Sequence, residues 1–214
     1  MFPLKDTEAA KIFPFWVILI ITVNVYVFAL EILAPDPDIF ISRFAFIPAN
    51  LSFMDPAALL PLLSAQFLHG GFIHIISNMW FLWVFGKNIE NRLGFFFPFF
   101  YIFSGVAGNI TQYLISSASS FPIIGASGAI AGVLGAYLAL FPSHKIKTLI
   151  FVLFFASVIE IPVSFMLFYW LITQLFSGAA SVSMVSAENI GGVAYFAHIG
   201  GFAVGWLFGK LLRV

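Results

Sequence analysis

Cysteine is absent from all 214 residues, which removes disulfides, thiolate metal sites and a cysteine nucleophile together. Charge is scarce as well: Asp, Glu, Lys and Arg make up 8% of the chain, where a soluble domain carries roughly 25%. The nine basic residues balance the nine acidic ones, so no basic surface is available for nucleic acid. Runs of alternating polarity, the mark of a transmembrane barrel, are missing too. What is present is hydrocarbon. Hydrophobic residues account for 62%, 29 of them Phe, and the mean hydropathy is +1.07. A water-soluble fold of this size could not cover its surface, so the composition predicts an all-α membrane protein, since helices satisfy their own backbone in lipid. The length suits one compact membrane domain over residues 1–214.

Five apolar segments stand out, at about 13–32, 72–85, 95–115, 127–141 and 193–212. A sixth stretch, 148–176, is interrupted by Glu160-Ile161-Pro162. It is too long for one straight helix and too short for two spans of about 20 residues. Proline is favoured in the first turn of a helix, so the spacing predicts a span starting at Pro162, with 148–159 as an interfacial or re-entrant piece. That makes a six-helix bundle. Its orientation follows from the positive-inside rule. With the N-terminus inside, Lys5, Lys11, Lys87, Arg92, Lys145, Lys147, Lys210 and Arg213 are cytoplasmic and only Arg43 lies outside. The first span reads as an uncleaved anchor, its apolar core exceeding the 7 to about 15 residues of a signal peptide. A bacterial-type plasma (inner) membrane is the expected location, with the site opening to the outer face.

In this topology spans two, four and six run the same way, so His74, Asn78, Ser127 and His198 all fall in first turns at one membrane face. Gly125-Ala126-Ser127-Gly128 taken alone could serve a tight helix crossing, and His198 alone could be a hydrogen-bonded interior histidine. Together they suggest chemistry: a neutral imidazole can take the serine proton, and a helix N-terminus stabilises negative charge forming beside it. No Asp or Glu lies in the interior of any span to complete a triad, so a Ser127–His198 dyad is expected, its imidazole oriented by packing. Gly201 and Gly205 follow His198 at helical spacing, and Gly128, Gly132 and Gly135 follow Ser127, which would let the two helices approach closely. His74 and Asn78, four apart, share a helical face and with the Ser127 N–H could form an oxyanion hole; inter-helix hydrogen bonding is the alternative. His69, just before them, could orient His74 or a water. His144, beside Lys145, reads as solvated. No His-Glu-x-x-His motif and no pair of intramembrane aspartates occurs, so neither metal nor diffusible cofactor is expected.

These residues match a family. From about 13 to 212 the chain resembles the rhomboid intramembrane serine proteases. The matching pieces are His69-Gly70-Gly71-Phe72-Ile73-His74 with Asn78, Glu90-Asn91-Arg92-Leu93-Gly94, Gly125-Ala126-Ser127-Gly128-Ala129-Ile130, and Ala197-His198-Ile199-Gly200-Gly201 with Gly205. The resemblance implies a six-helix rhomboid-like bundle with Ser127 as nucleophile and His198 as base. It also implies Ser127 N–H, His74 and Asn78 around the oxyanion, with His69, Gly125, Gly128, Gly201 and Gly205 supporting the site. Substrates would be transmembrane-helix proteins cut in the lipid bilayer; a catalytically silent protein that only binds such helices is the alternative. Two departures stand out. Many rhomboids place an aromatic residue four positions after the serine, and here that residue is Ala131. Many also carry a Trp-Arg pair in the first outer loop, and residues 34–68 contain Arg43 but no Trp. That loop holds Phe40, Phe44, Phe46, Phe53 and Met54 and is expected to lie partly in the interface. Residues 177–192, rich in Ser, Gly and Ala, read either as a mobile cap over the site or as an inert linker.

Overall fold

The computed structural model describes residues 2–8, 10, 12–152, 155–184 and 193–213. Six long helices carry the architecture of the described residues: α1 (Phe15–Leu33), α2 (Phe72–Leu93), α3 (Phe97–Ile115), α4 (Ser127–Leu140), α5 (Val163–Met184) and α6 (Tyr195–Leu211). By length and composition three stretches can cross a bilayer: Phe15–Leu33, Phe72–Ile115, which holds both α2 and α3, and Val163–Ser181. α4 is different. Its 14 residues rise about 21 Å, short of the roughly 30 Å hydrocarbon core, and eleven of them are buried. It is a central post enclosed by protein, so its ends need not reach either membrane surface.

The neighbours of α4 approach as closely as backbones allow. A Cβ placed on Gly201 or Gly205 of α6 would run into the carbonyl oxygens of Gly128 and Gly132, and one on Gly135 would run into that of Phe202. α3 closes the third side: a Cβ on Gly132 would strike Ser104, and one on Gly108 would meet the Ala197 carbonyl. Around this glycine seam Leu82, Phe85, Phe97, Tyr101, Leu134 and Tyr137 form the core.

Polar residues of the Glu90-Asn91-Arg92 motif tie helix ends together. The buried Glu90 carboxylate accepts the Trp16 N–H at 2.9 Å and the Val17 N–H at 2.8 Å, capping the unsatisfied donors of α1 from the end of α2. Arg92 donates to the Leu212 carbonyl at 2.7 Å, closing the last turn of α6. Helix α2 thus continues eight residues past the apolar segment that marks it in the sequence.

Two expectations are corrected at the other end of α4. The described residues of 148–159 do not form a re-entrant piece: 148–152 lie in β2 (Lys145–Val152) and 155–159 in β3 (Phe155–Pro162), which pair antiparallel, and β2 also pairs antiparallel with β1 (Phe2–Asp6). β-Branched and aromatic residues dominate this stretch, and they favour a pleated strand over an interfacial helix. α5 then begins at Val163, one residue after the expected start. Nor is His144 merely solvated. Its Nδ1 lies 3.1 Å from the Tyr137 hydroxyl and 3.2 Å from Asp6 Oδ2, while Asn88 and Tyr137 also hydrogen-bond Asp6. This cluster anchors β1 beneath the bundle.

Residues 34–68 form short helical pieces, including Pro37–Phe44, Pro56–Leu59 and Pro61–Ser64. Phe46 does not face the interface: it is buried against Leu62 and Ala65, and its backbone pairs with Ile123. Met54 and Phe53 remain exposed. Gln66 Nε2 donates to the Ile102 carbonyl at 3.4 Å and Asn109 Nδ2 to that of Leu62 at 3.0 Å, so the loop is docked on α3 by polar bonds without any Trp. Of the segment 177–192, residues 177–184 continue helix α5 instead of forming a linker; 185–192 lie outside the described residues.

Two substitutions test this scheme. Gly205→Val should prevent α4 and α6 from meeting and leave protein that elutes as aggregate and is cut readily by trypsin. Glu90→Ala strands the buried Val17 N–H and the part-buried Trp16 N–H and should lower stability by about 2 kcal/mol, read as an earlier thermal transition in detergent.

Candidate active site

Ser127 is the first residue of α4 and His198 the fourth of α6. Because the two helices touch backbone to backbone a turn further on, these ends are held one hydrogen bond apart: His198 Nε2 is 2.7 Å from Ser127 Oγ. The other ring nitrogen, Nδ1, is 2.7 Å from Gln174 Oε1 on α5. One turn earlier on α5, the Trp170 ring lies beside the imidazole, centroids 6.0 Å apart and tilted by 33°, and Tyr195 meets it edge-on. The expectation that packing alone orients His198 is therefore corrected, since a side-chain amide bonds it directly. Trp170 supplies the aromatic neighbour that Ala131, buried inside α4, does not. The signal for Gln174 was present as a polar Thr173-Gln174 pair inside an apolar run, where polar groups are costly unless partnered.

Beneath His198, Gln112 of α3 accepts the Phe196 and Ala197 N–H groups at 3.1 and 3.3 Å. The Phe196 N–H opens α6 with no carbonyl among the described residues to receive it, while the Ala197 N–H also donates to the Ala194 carbonyl at 3.0 Å, so Gln112 caps this first turn and fixes the height of the imidazole.

His74 and Asn78 do converge on the same place. Gly125 has φ +120°, and a Cβ built there would sit 2.8 Å from His74 Nε2 and 3.7 Å from Asn78 Nδ2. Both side chains thus flank the backbone two residues before Ser127. Gly70 N–H donates to His74 Nδ1 at 3.4 Å, so a neutral His74 carries its proton on Nε2, the atom facing Gly125. Asn78 Nδ2 is buried with no hydrogen-bond partner in the protein. Ser127 itself opens α4, which leaves its N–H without a carbonyl four residues back in the helix.

His69 does not reach these groups through a hydrogen bond. Its ring is buried with neither nitrogen partnered, edge-on to His74 at 5.0 Å. Burial, and after it the neighbouring His74, push the His69 imidazole down to about 4, so it is neutral at physiological pH. Its backbone N–H is held by the buried Glu31 carboxylate at 3.0 Å. Glu31, in the last turn of α1, thus holds the loop backbone, and His198 bonds Gln174 and Ser127 instead. His144 lies with Tyr137, ten residues along α4, and belongs to the opposite end of the molecule.

The arrangement has the parts of an acyl-transfer site: a hydroxyl on an imidazole, and free donors gathered beside it. Comparison with known proteins agrees, for the rhomboid domain matches residues 56–214. The chain belongs to the rhomboid family. Its relatives include RHOMBOID-like protein 4 of Arabidopsis thaliana, 31% identical over 159 residues, 72% of this chain and 34% of that protein. RHOMBOID-like protein 6, mitochondrial, of the same plant is 32% identical over 155 residues, 71% of this chain and 43% of that protein. Rhomboid protein 1, mitochondrial, of Saccharomyces cerevisiae is 32% identical over 154 residues, 69% of this chain and 40% of that protein. The chain therefore spans less than half of the length of these relatives. Two of them are named for mitochondria, and the comparisons give no support to a bacterial-type plasma membrane; what holds is a rhomboid embedded in a lipid bilayer.

Gly125→Ala should displace His74. The methyl group would need both the left-handed backbone and the space occupied by His74 Nε2, and a loss of about 1–3 kcal/mol is expected, measured as a lower thermal transition with Ser127 and His198 untouched.

Proposed function

We propose that this rhomboid is an intramembrane serine endopeptidase that hydrolyses peptide bonds in or next to the transmembrane helices of membrane-protein substrates. Its site residues are the Ser127–His198 dyad and an oxyanion hole of Ser127 N–H, His74 and Asn78. The observation that carries the reading is the 2.7 Å bond from His198 Nε2 to Ser127 Oγ at a part-buried position, with Asn78 Nδ2 a buried donor without a partner in the protein.

In this mechanism Ser127 Oγ bonds to the scissile carbonyl carbon while His198 Nε2 takes its proton. Charge gathers on the carbonyl oxygen, and each donor aimed at it contributes on the order of 3 kcal/mol to the transition state. Collapse breaks the C–N bond, and His198 returns the proton to the leaving amine. Water, deprotonated by His198, then cleaves the acyl-enzyme and restores Ser127. The proposed frame is one domain of six helices set in the membrane, with the N-terminus, β1 and the strands β2 and β3 on the cytoplasmic side, supported by the bias of Lys and Arg to that side. The site then opens to the opposite face. The short α4 supports a serine set below the surface, where a substrate helix could reach it from within the bilayer.

A fluorophosphonate probe tests this without a known substrate. Purified protein should be labelled on Ser127, and labelling should vanish in Ser127→Ala and in His198→Ala while both variants stay folded. An unlabelled but folded wild type that still binds transmembrane peptides would instead identify a silent helix-binding protein.

A further inference from the structure

Within α5, Thr173 and Gln174 form a polar step that the proposed chemistry does not use, and it leads into the dyad. The Thr173 hydroxyl lies 2.6 Å from the Trp170 carbonyl oxygen. A carbonyl can only accept, so Thr173 must donate there. Its lone pairs are then free for Gln174 Nε2–H, which is 3.3 Å away. With the amide nitrogen turned to Thr173, the amide oxygen faces His198 Nδ1 at 2.7 Å and can only accept. His198 must donate from Nδ1, which leaves Nε2 with a lone pair for the Ser127 hydroxyl. Every bond in the series has its direction set by the carbonyl at its start.

We infer that Gln174 is a positioning residue that holds His198 in its Nδ1–H tautomer, with Thr173 fixing which way the amide points. The inference rests on Ser127 and His198 acting as nucleophile and base. A dyad without a carboxylate faces a particular difficulty: neutral imidazole exists as two tautomers, and only the one with a bare Nε2 can accept the serine proton. An amide oxygen selects that tautomer. Being uncharged, it does so without leaving an extra buried anion in an apolar setting, where an ion would be costly. Trp170 and Gln174 are four residues apart on one face of α5, so a single helix both packs against the imidazole and bonds it.

The test compares wild type, Gln174→Leu, Gln174→Glu and Thr173→Val by the rate of fluorophosphonate labelling at Ser127. Gln174→Leu fills the space without an acceptor and should label at least about tenfold more slowly, whereas Gln174→Glu restores the acceptor and should recover to within about threefold of wild type. Thr173→Val should fall between. A residue that merely packed would reverse the order, since Leu fits an apolar site and Glu buries a charge. Wild-type labelling rates in Gln174→Leu, or Glu no faster than Leu, would overturn the inference. If Gln174→Leu does not fold, ¹⁵N-histidine spectra of the wild type decide. The chain has four histidines, and His198 is assigned by its loss in His198→Ala. A protonated Nδ1 with a bare Nε2 supports the inference, and the reverse tautomer sinks it. A wild type that shows the Nδ1–H tautomer but takes no probe would refute the catalytic reading while leaving the role of Gln174 standing.

Discussion

Where α4 passes α6, the carbonyl oxygens of one helix occupy the space in which side chains of the other would begin. In a bilayer, burying apolar side chains gains little when lipid is equally apolar, and helices associate instead through close packing and polar bonds. Gly132, Gly135, Gly201 and Gly205 make the packing close enough to bring Ser127 and His198 within one hydrogen bond. The distance between the reacting groups is therefore a property of glycines a turn or more away. The cost is that α4 carries few large side chains of its own and takes its rigidity from what surrounds it.

Polar residues complete what the glycines leave unfinished. Gln112 sets the first turn of α6, Glu90 that of α1, Arg92 the last turn of α6, and Gln174 the ring of His198. Glu90, Gln112 and Gln174 satisfy groups that are buried or partly so, where a lost partner is costly, and Arg92 closes its helix at the exposed end. Two of them, Glu90 and Arg92, sit two positions apart near the end of α2 and face different helices. That short motif works as a clamp across the base of the bundle, remote from Ser127, which lies at the other end of α4.

Much of this was legible beforehand, because long apolar runs, glycine spacing and the grouping of Ser127, His198, His74 and Asn78 are patterns in the chain itself. Helix boundaries near 13–32, 95–115 and 193–212 follow from hydropathy alone. Three features escaped for physical reasons. The paired strands at 145–152 and 155–162 are apolar enough to pass for an interfacial or re-entrant piece, and the pairing of the first with residues 2–6 depends on a partner far away in sequence. Gln174 stands out as polar within an apolar run, but which group it serves is unknown until its distance from His198 is seen. Glu31 and Glu90 fall at helix ends, where acids are commonplace, and only the fold shows their carboxylates turned onto backbone N–H groups.

The three-stranded sheet also has a history built into it. β1 can pair only with β2, and Thr7 meets Lys145 across 138 positions of sequence. During synthesis at about 5–20 residues per second, β1 therefore waits roughly 7 to 28 s for its partner strand to be made. By the end of that interval four of the six helices are already translated. All three strands precede α5 and α6 in the chain, so the parts of the sheet are complete before α6 is made and the glycine seam can form. Closing so long a loop costs only slightly more entropy than closing a short one, so the delay is kinetic and not a burden on final stability.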